Sequence, residues 1–100
     1  MRIIKRSTLV TFREAHPETT PSLKRWQQIF KNAEFGSMDD VSRAMPKAKI
    51  LNADRARFEV AGGNYRMVVA FDFVHQVAWI KFLGTHGEYD VIDALTVSMF

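Results

Sequence analysis

The second half of the chain alternates apolar and more polar residues in the way that β-strands do. A first strand ending at Val60 leads into the turn Ala-Gly-Gly-Asn at residues 61–64, where glycine and asparagine tolerate the positive φ of a tight connection. The strand that follows, residues 65–74, has one apolar side, formed by Tyr65, Met67, Val69, Phe71 and Phe73. A turn at 75–76 and a strand over 77–83 complete a predicted meander.

The length of the second turn decides which residues of the meander share a face. With a two-residue turn, Asp72 lies opposite Trp79. Ala70 then lies opposite Lys81. Because cross-strand partners point to the same side, we expect a basic, aromatic-bearing strip on one face of the sheet, formed by Arg66, Asp72, Trp79 and Lys81.

The remaining chain predicts an edge strand and several helices. Capping hydroxyls and prolines mark the helix boundaries. The predicted elements are a strand over 1–6, a helix over 8–16, a longer helix from Thr20 towards Gly36, a short helix from Ser37 to Pro46, and a last helix after Asp90. The pattern therefore predicts an α+β fold, in which an N-terminal strand and two helices pack on an antiparallel sheet of about four strands, with a short C-terminal helix.

Trp26 and Phe30 lie in the longer helix with the spacing of a core-facing stripe. We therefore interpret these two aromatic side chains as core rather than as a platform for stacking bases. On the outer surfaces of the same helix, Lys24, Arg25 and Lys31 are placed to meet phosphates or an acidic antagonist.

Charge is distributed unevenly along the chain. The formal net charge is +3, and the first 31 residues carry seven cations, Arg2, Lys5, Arg6, Arg13, Lys24, Arg25 and Lys31, against Glu14 and Glu18. A basic connection over 47–55 follows an acidic patch at Glu34, Asp39 and Asp40. This distribution favours an acidic partner, although solvated surface is the ordinary alternative for any single cation.

Composition excludes several classes of protein. The 100 residues include no cysteine, so neither a disulfide framework nor a thiolate metal site is expected, and 47% hydrophobic content suffices for one compact domain. No apolar run approaches the roughly 20 residues of a membrane span. We expect a cytoplasmic protein without a membrane anchor.

The residues able to do chemistry cluster late in the chain. Gly62-Gly63 is not followed by the signature of a phosphate loop, and the histidines at 16, 75 and 86 lack metal-ligand spacing. What remains near one end of the sheet is Arg66, Lys81, His86, Glu88, Tyr89 and Asp90. These residue types suit metal-free RNA cleavage, in which the 2′-hydroxyl attacks the neighbouring phosphorus and cations stabilise the resulting charge. We expect no cofactor and no metal.

Each candidate also has a structural alternative. Arg66 can pair with Glu59, which a tight turn places opposite it, and Lys81 can pair diagonally with Asp72. His86 can be an ordinary loop histidine. Tyr89 can anchor the last helix. Glu88 and Asp90 are common capping residues, and Asp90 is placed to cap the helix that follows it.

Two spaced motifs resemble the HigB-type toxins of bacterial type II toxin–antitoxin systems, within the RelE-like group. The first is the turn and strand start GGNYR, residues 62–66, and the second is GTHGEYDVID, residues 84–93. The resemblance covers nearly the whole chain, with the first half matching only in helix pattern and length. Val91 stands where relatives are expected to have a basic residue.

The resemblance implies a single RelE/HigB-like toxin domain over residues 1–100 that acts as an mRNA endonuclease on translated message in the ribosome. It also implies a HigA-like helix-turn-helix antitoxin, with DNA contacted only through the antitoxin complex. The implied catalytic residues are Arg66, His86 and Tyr89, with Lys81 as an electrostatic partner. The residues expected to contact RNA are Lys47, Lys49, Arg55 and Asn64. A non-catalytic RNA- or protein-binding module with the same fold is the alternative; a DNA-binding protein is disfavoured because no helix-turn-helix pattern is present.

Overall fold

The computed structural model describes residues 1–100 and contains five strands and four α-helices. The strands are β1 (Arg2–Ile4), β2 (Lys49–Ile50), β3 (Arg55–Val60), β4 (Tyr65–Asp72) and β5 (Val77–Thr85). The helices are α1 (Arg6–Ala15), α2 (Thr20–Lys31), α3 (Met38–Ala44) and α4 (His86–Asp90). Short 3-10 turns over Pro17–Thr19 and Ala61–Gly63 connect neighbouring elements. No helix is long and apolar enough to cross a membrane.

All five strands form one sheet in the order β1-β5-β4-β3-β2. Strands β2 to β5 pair antiparallel, as the meander predicts, and β1 lies at the edge, parallel to β5. The predicted α+β architecture is therefore confirmed, with five strands instead of about four. The additional strand is β2, a two-residue pairing within the connection predicted as irregular.

The main hydrophobic core lies between the helices and one face of this sheet, which we call the inner face. Leu23, Trp26 and Phe30 of α2 are buried, so their interpretation as core is confirmed. The Phe30 ring lies 5.3 Å from that of Phe58 on β3 and 5.7 Å from that of Phe71 on β4. The alternate residues of β3 and β4 point to the opposite, outer face of the sheet.

The predicted register between β4 and β5 is wrong. Asp72 pairs with Val77 and Ala70 pairs with Trp79, because residues 73–76 form a four-residue connection. The side chain of Gln76 stabilises this longer turn by donating to the carbonyl of Phe73 at 2.7 Å. The predicted two-residue turn would have left no room for this contact.

A β-bulge further displaces Lys81. Val68 pairs with Phe82, whereas the next residue, Val69, pairs with Ile80, so Lys81 is the extra residue of β5. The predicted pairing of Ala70 with Lys81 is wrong because of the longer turn, and the bulge leaves Lys81 without a cross-strand partner. The Lys81 ammonium lies 5.5 Å from the Trp79 ring centroid.

The last helix begins earlier than predicted. Helix α4 occupies the segment interpreted as polar loop, and Asp90 ends this helix instead of capping a later one. Residues 91–100 contain no further helix or strand. They lie against the sheet because Arg55 Nη1 donates to the carbonyls of Ala94 at 3.1 Å and Val97 at 2.8 Å.

Candidate functional site

The outer face of the sheet carries Arg57 and Arg66 close to each other on neighbouring strands. Arg57 of β3 pairs with Val68 of β4, and Arg66 of β4 pairs with Gly84 of β5. Gly84 keeps this end of the face open, since a Cβ there would lie 2.9 Å from Cζ of the Phe82 ring and 3.0 Å from a carboxylate oxygen of Glu88. Helix α4 can therefore fold back close to the strand that precedes it.

Tyr89 of α4 joins the two arginines into one cluster. Its ring centroid lies 5.3 Å from Cζ of Arg66 and 5.9 Å from Cζ of Arg57. Both distances are within the range of cation–π attraction. The Tyr89 ring also lies 6.1 Å from the ring of Phe82, which is buried on the outer face. We call Arg57, Arg66 and Tyr89 the arginine–tyrosine cluster.

Hydrogen-bonding capacity in the cluster is not used by the protein. The Nε atoms of Arg57 and Arg66 are both buried and have no hydrogen-bond partner. The register that places Glu59 opposite Arg66 is confirmed. However, the Glu59 carboxylate approaches Arg57, with 3.7 Å between Oε1 and Nη2, so the predicted alternative of an Arg66–Glu59 ion pair does not form. Two guanidinium groups with unused donors make this a suitable site for an anion.

His86 lies at the start of α4, directly after β5 and three residues before Tyr89 of the cluster. Its backbone N–H donates to the carbonyl of Asn64 at 3.0 Å, which ties α4 to the turn before β4. Its ring Nδ1 lies 3.2 Å from a carboxylate oxygen of Asp90, one helical turn later. The imidazole is half exposed and therefore accessible to a substrate.

Glu88 has a structural role in this segment. Its carboxylate accepts from the backbone N–H of Thr85 at 2.8 Å, while its own N–H donates to the Thr85 hydroxyl at 3.1 Å. This capping box begins α4. The hydrogen bond from the Thr85 N–H, followed by the interaction with the Thr85 hydroxyl, holds the pKa of Glu88 below its usual value. The interpretation of Glu88 as a capping residue is confirmed.

The other predicted site residues lie around the cluster instead of within it. Lys81 contacts Trp79, and its alternative partner Asp72 pairs with His75 at 2.8 Å. Lys47 and Lys49 are exposed beside β3, where Lys49 is the cross-strand partner of Arg57. Asn64 is exposed at the turn, and Arg55 is occupied by the C-terminal segment.

The sequence prediction does not single out Arg57, and it gives Asp90 a different role. Alternation along β3 puts Arg57 on the same face as Glu59 and thus as Arg66. Asp90 was assigned to a cap, although an i,i+4 pairing with His86 follows as soon as residues 86–90 are read as a helix. Both signals were present in the spacing.

A second polar cluster lies on the inner face and connects the helices to β4. The Tyr65 hydroxyl donates to a carboxylate oxygen of Glu18 and lies 3.2 Å from Nδ1 of His16. The hydrogen bond from Tyr65 lowers the pKa of Glu18, and the same bond raises the pKa of Tyr65. The Tyr65 ring packs edge-on against Phe12 of α1. These contacts join the α1–α2 connection to the sheet. No group of three His, Asp or Glu side chains is arranged to hold a metal ion.

Comparison with known proteins identifies the family. A sequence profile described as HigB_toxin, RelE-like toxic component of a toxin-antitoxin system, matches residues 19–92. The chain therefore belongs to the HigB-type toxins, and the resemblance drawn from its two motifs is confirmed. The matched range contains Arg57, Arg66, His86, Tyr89 and Asp90.

One relative is the protein named mRNA interferase HigB from Escherichia coli O6:H1 (strain CFT073). It is 23% identical over 97 residues, which cover 90% of this chain and 89% of the relative. Membership of a toxin–antitoxin family implies an antitoxin partner.

Proposed function

We propose that this toxin is an endoribonuclease that cleaves translated mRNA in the ribosome without a metal ion. The observation that carries the proposal is the arginine–tyrosine cluster, where two guanidinium groups keep buried, unpartnered N–H donors on one aromatic ring. The relative named as an mRNA interferase supports the same reaction. The protein acts in the cytoplasm as a single domain, and a HigA-like helix-turn-helix antitoxin inhibits it.

The cluster binds the scissile phosphate. Arg57 and Arg66 approach the Tyr89 ring from adjacent strands, so both guanidinium groups lie beside one ring and offer their charge to the same phosphate. Attack by the 2′-hydroxyl places extra negative charge on the phosphorane oxygens. Preorganised guanidinium donors stabilise this charge more strongly in the transition state than in the ground state.

His86 and Asp90 act together in the transfer of the 2′-hydroxyl proton. A proton on Nδ1, where the Asp90 carboxylate accepts it, leaves Nε2 of His86 as an acceptor for the 2′-hydroxyl proton. The Tyr89 hydroxyl supplies a donor on the same helix for the phosphate or the leaving 5′ oxygen. Asp90 is therefore a positioning residue, and His86 is the proton-transfer group.

The surrounding cations guide the message to the cluster. Lys47 and Lys49 are exposed beside β3, and Asn64 is exposed at the turn next to His86. We assign these residues to the RNA backbone, with Lys81 as a further electrostatic contact. Arg55 contributes positive charge from its position between the sheet and the C-terminal segment.

The test uses ribosomes programmed with a defined mRNA. We expect the wild-type protein to leave 2′,3′-cyclic phosphate and 5′-hydroxyl ends, to work in the presence of EDTA, and to spare an mRNA with 2′-deoxyribose at the cleaved nucleotide. Arg66→Ala and His86→Gln should bind but not cut. Exposed Arg43→Ala, on α3, is the matched control and should cut normally.

Expression in a bacterial host gives an independent readout. Induction of this chain alone should arrest growth and create new mRNA 5′ ends inside translated frames, and both effects should disappear in Arg66→Ala. A folded wild-type protein that protects RNA from other nucleases without cutting it would overturn the proposal in favour of a binding module.

A further inference from the structure

Trp79 is an exposed aromatic side chain to which the proposed mechanism gives no role. It is 42% exposed, whereas the other tryptophan, Trp26, is buried in the core at 2%. No other aromatic ring of the protein packs against Trp79. Its indole ring is therefore open to a planar ligand.

The sheet places Trp79 on the same face as the arginine–tyrosine cluster. Trp79 pairs with Ala70 of β4, and Ala70 lies four residues after Arg66 on that strand. Because residues separated by an even number of positions point to the same side of a strand, Trp79 and Arg66 share the outer face. Along β5, Trp79 lies roughly 10 Å before Phe82, whose ring contacts Tyr89. A polynucleotide bound at the cluster can reach Trp79 without leaving this face.

A cation lies beside the Trp79 ring. The Lys81 ammonium is 5.5 Å from the ring centroid, and none of the ion pairs in the protein involves Lys81. Proteins bind single-stranded nucleic acid by combining aromatic rings, on which bases stack, with cations that contact the backbone. Lysine is depleted from protein–protein interfaces. The pair of Trp79 and Lys81 therefore favours a nucleotide as its ligand.

The C-terminal segment approaches this place without covering it. The backbone N–H of Met99 donates to the carbonyl of Lys81 at 2.9 Å. Arg55, which donates to the carbonyl of Val97 at 2.8 Å, holds the segment on the far side of β4. Trp79 nevertheless stays exposed. The segment is fixed next to the ring, so a ligand can reach the ring without displacing it.

We propose that Trp79 and Lys81 form a base-binding subsite for the message, in which a base near the cleaved bond stacks on the indole and Lys81 contacts its phosphate. The inference rests on the proposed function, because it assigns this base to the message that is cut. Every base has a π face, so the subsite accepts all four bases and prefers those that stack most strongly. The stack is the same in the ground state and in the transition state, so it lowers KM and leaves kcat unchanged.

The first experiment removes one base at a time from the message. Cleavage in programmed ribosomes is measured for messages with a single abasic nucleotide at successive positions around the cleaved bond. At one position, loss of the base should raise the KM of the wild type about 10-fold with kcat unchanged. Trp79→Ala should show the same rise with the intact message and no further rise at that position. Trp79→Phe, which keeps a ring, should recover most of the loss.

Val74→Ala is the control, because it removes another exposed apolar side chain and should cut as the wild type does. Additive effects of Trp79→Ala and of the abasic nucleotide at every position would overturn the proposal, since groups in contact are not independent. A Trp79→Ala protein that cuts normally but no longer binds the antitoxin would also overturn it and would assign the ring to a protein partner. Circular dichroism checks that each variant is folded.

Tryptophan fluorescence tests the subsite without cleavage. The chain has two tryptophans, and Trp26 is buried against Phe30, so a base can stack only on Trp79. A short single-stranded RNA should quench the emission of the wild type but not that of Trp79→Phe. Emission that stays constant up to millimolar RNA would overturn the proposal. Quenching by RNA in a protein that cuts no message would support the subsite and refute only the nuclease proposal.

Discussion

Arg57 and Arg66 each carry a buried Nε–H without an acceptor, which lowers the stability of the folded protein. A buried N–H without an acceptor costs roughly 1–3 kcal/mol, and both arginines carry one in this site. Tyr89 offsets part of this cost through its ring. In the proposed mechanism the bound phosphate offsets this cost by bringing acceptors to the two guanidinium groups.

Arg66→Met tests this balance between stability and activity. The change keeps the apolar stem of the side chain and removes the unpaired donor. We therefore expect the free energy of unfolding to stay the same or to rise by about 1–3 kcal/mol. Cleavage in programmed ribosomes should fall at least 100-fold, the loss of about 3 kcal/mol of charged hydrogen bonding. Denaturant unfolding and cleavage rates are measured together. Loss of stability in step with activity would show that Arg66 is structural.

At the scale of elements, α4 depends on its cap. A five-residue helix has little intrinsic stability, and the Thr85–Glu88 capping box with the Tyr89–Phe82 contact holds it in place. The sequence contained this signal, since Thr85 and Glu88 have the spacing of a capping box. The pattern predicts a loop here because the segment is polar and too short to show helical periodicity. The bulge at Lys81 has no comparable sequence signature, because it follows from pairing with β4.

Lowering the pH should destabilise α4 by protonating Glu88. The hydrogen bond from the Thr85 N–H lowers the pKa of Glu88 in the folded protein. The ionised Glu88 side chain therefore stabilises the fold above the ordinary glutamate pKa of about 4.3. This stabilisation is lost as the pH falls through the lower pKa of the folded state. The protection factors of the amides over residues 86–90, which correct for the slower intrinsic exchange in acid, should therefore fall on acidification. Glu88→Gln keeps a capping oxygen without a titrating group and should flatten this dependence. An unchanged pH response in Glu88→Gln would assign the effect to another carboxylate.

For the whole molecule, the meander and the helical core could be predicted from the sequence. The pairing of the N-terminal strand and the position of the C-terminal segment could not. Alternation in β4 and helical spacing around Trp26 are local signals, and both elements occur where they indicate. The pairing of β1 with β5 joins distant segments, and the position of residues 91–100 depends on Arg55. Neither has a periodic signal in the sequence.

Arg55→Met should release the C-terminal segment from the sheet. Two hydrogen bonds from a charged donor are lost, so we expect destabilisation of about 1–3 kcal/mol and faster proteolysis within residues 93–100. Lys49→Met is the control, since it removes an exposed cation from neighbouring β2 that does not contact the segment. Limited proteolysis followed by mass spectrometry reports the cuts. Equal cutting in the two variants would mean that Arg55 does not hold the C-terminal segment against the sheet.

The position of β1 also has a consequence during synthesis. Strand β1 pairs with β5, the last strand to be made, so it has no partner while the intervening chain is synthesised. Long-range pairing of this kind slows folding. In the proposed mechanism His86 and Tyr89 belong to the site, and both emerge later still, so that site is incomplete until almost the whole chain has been made.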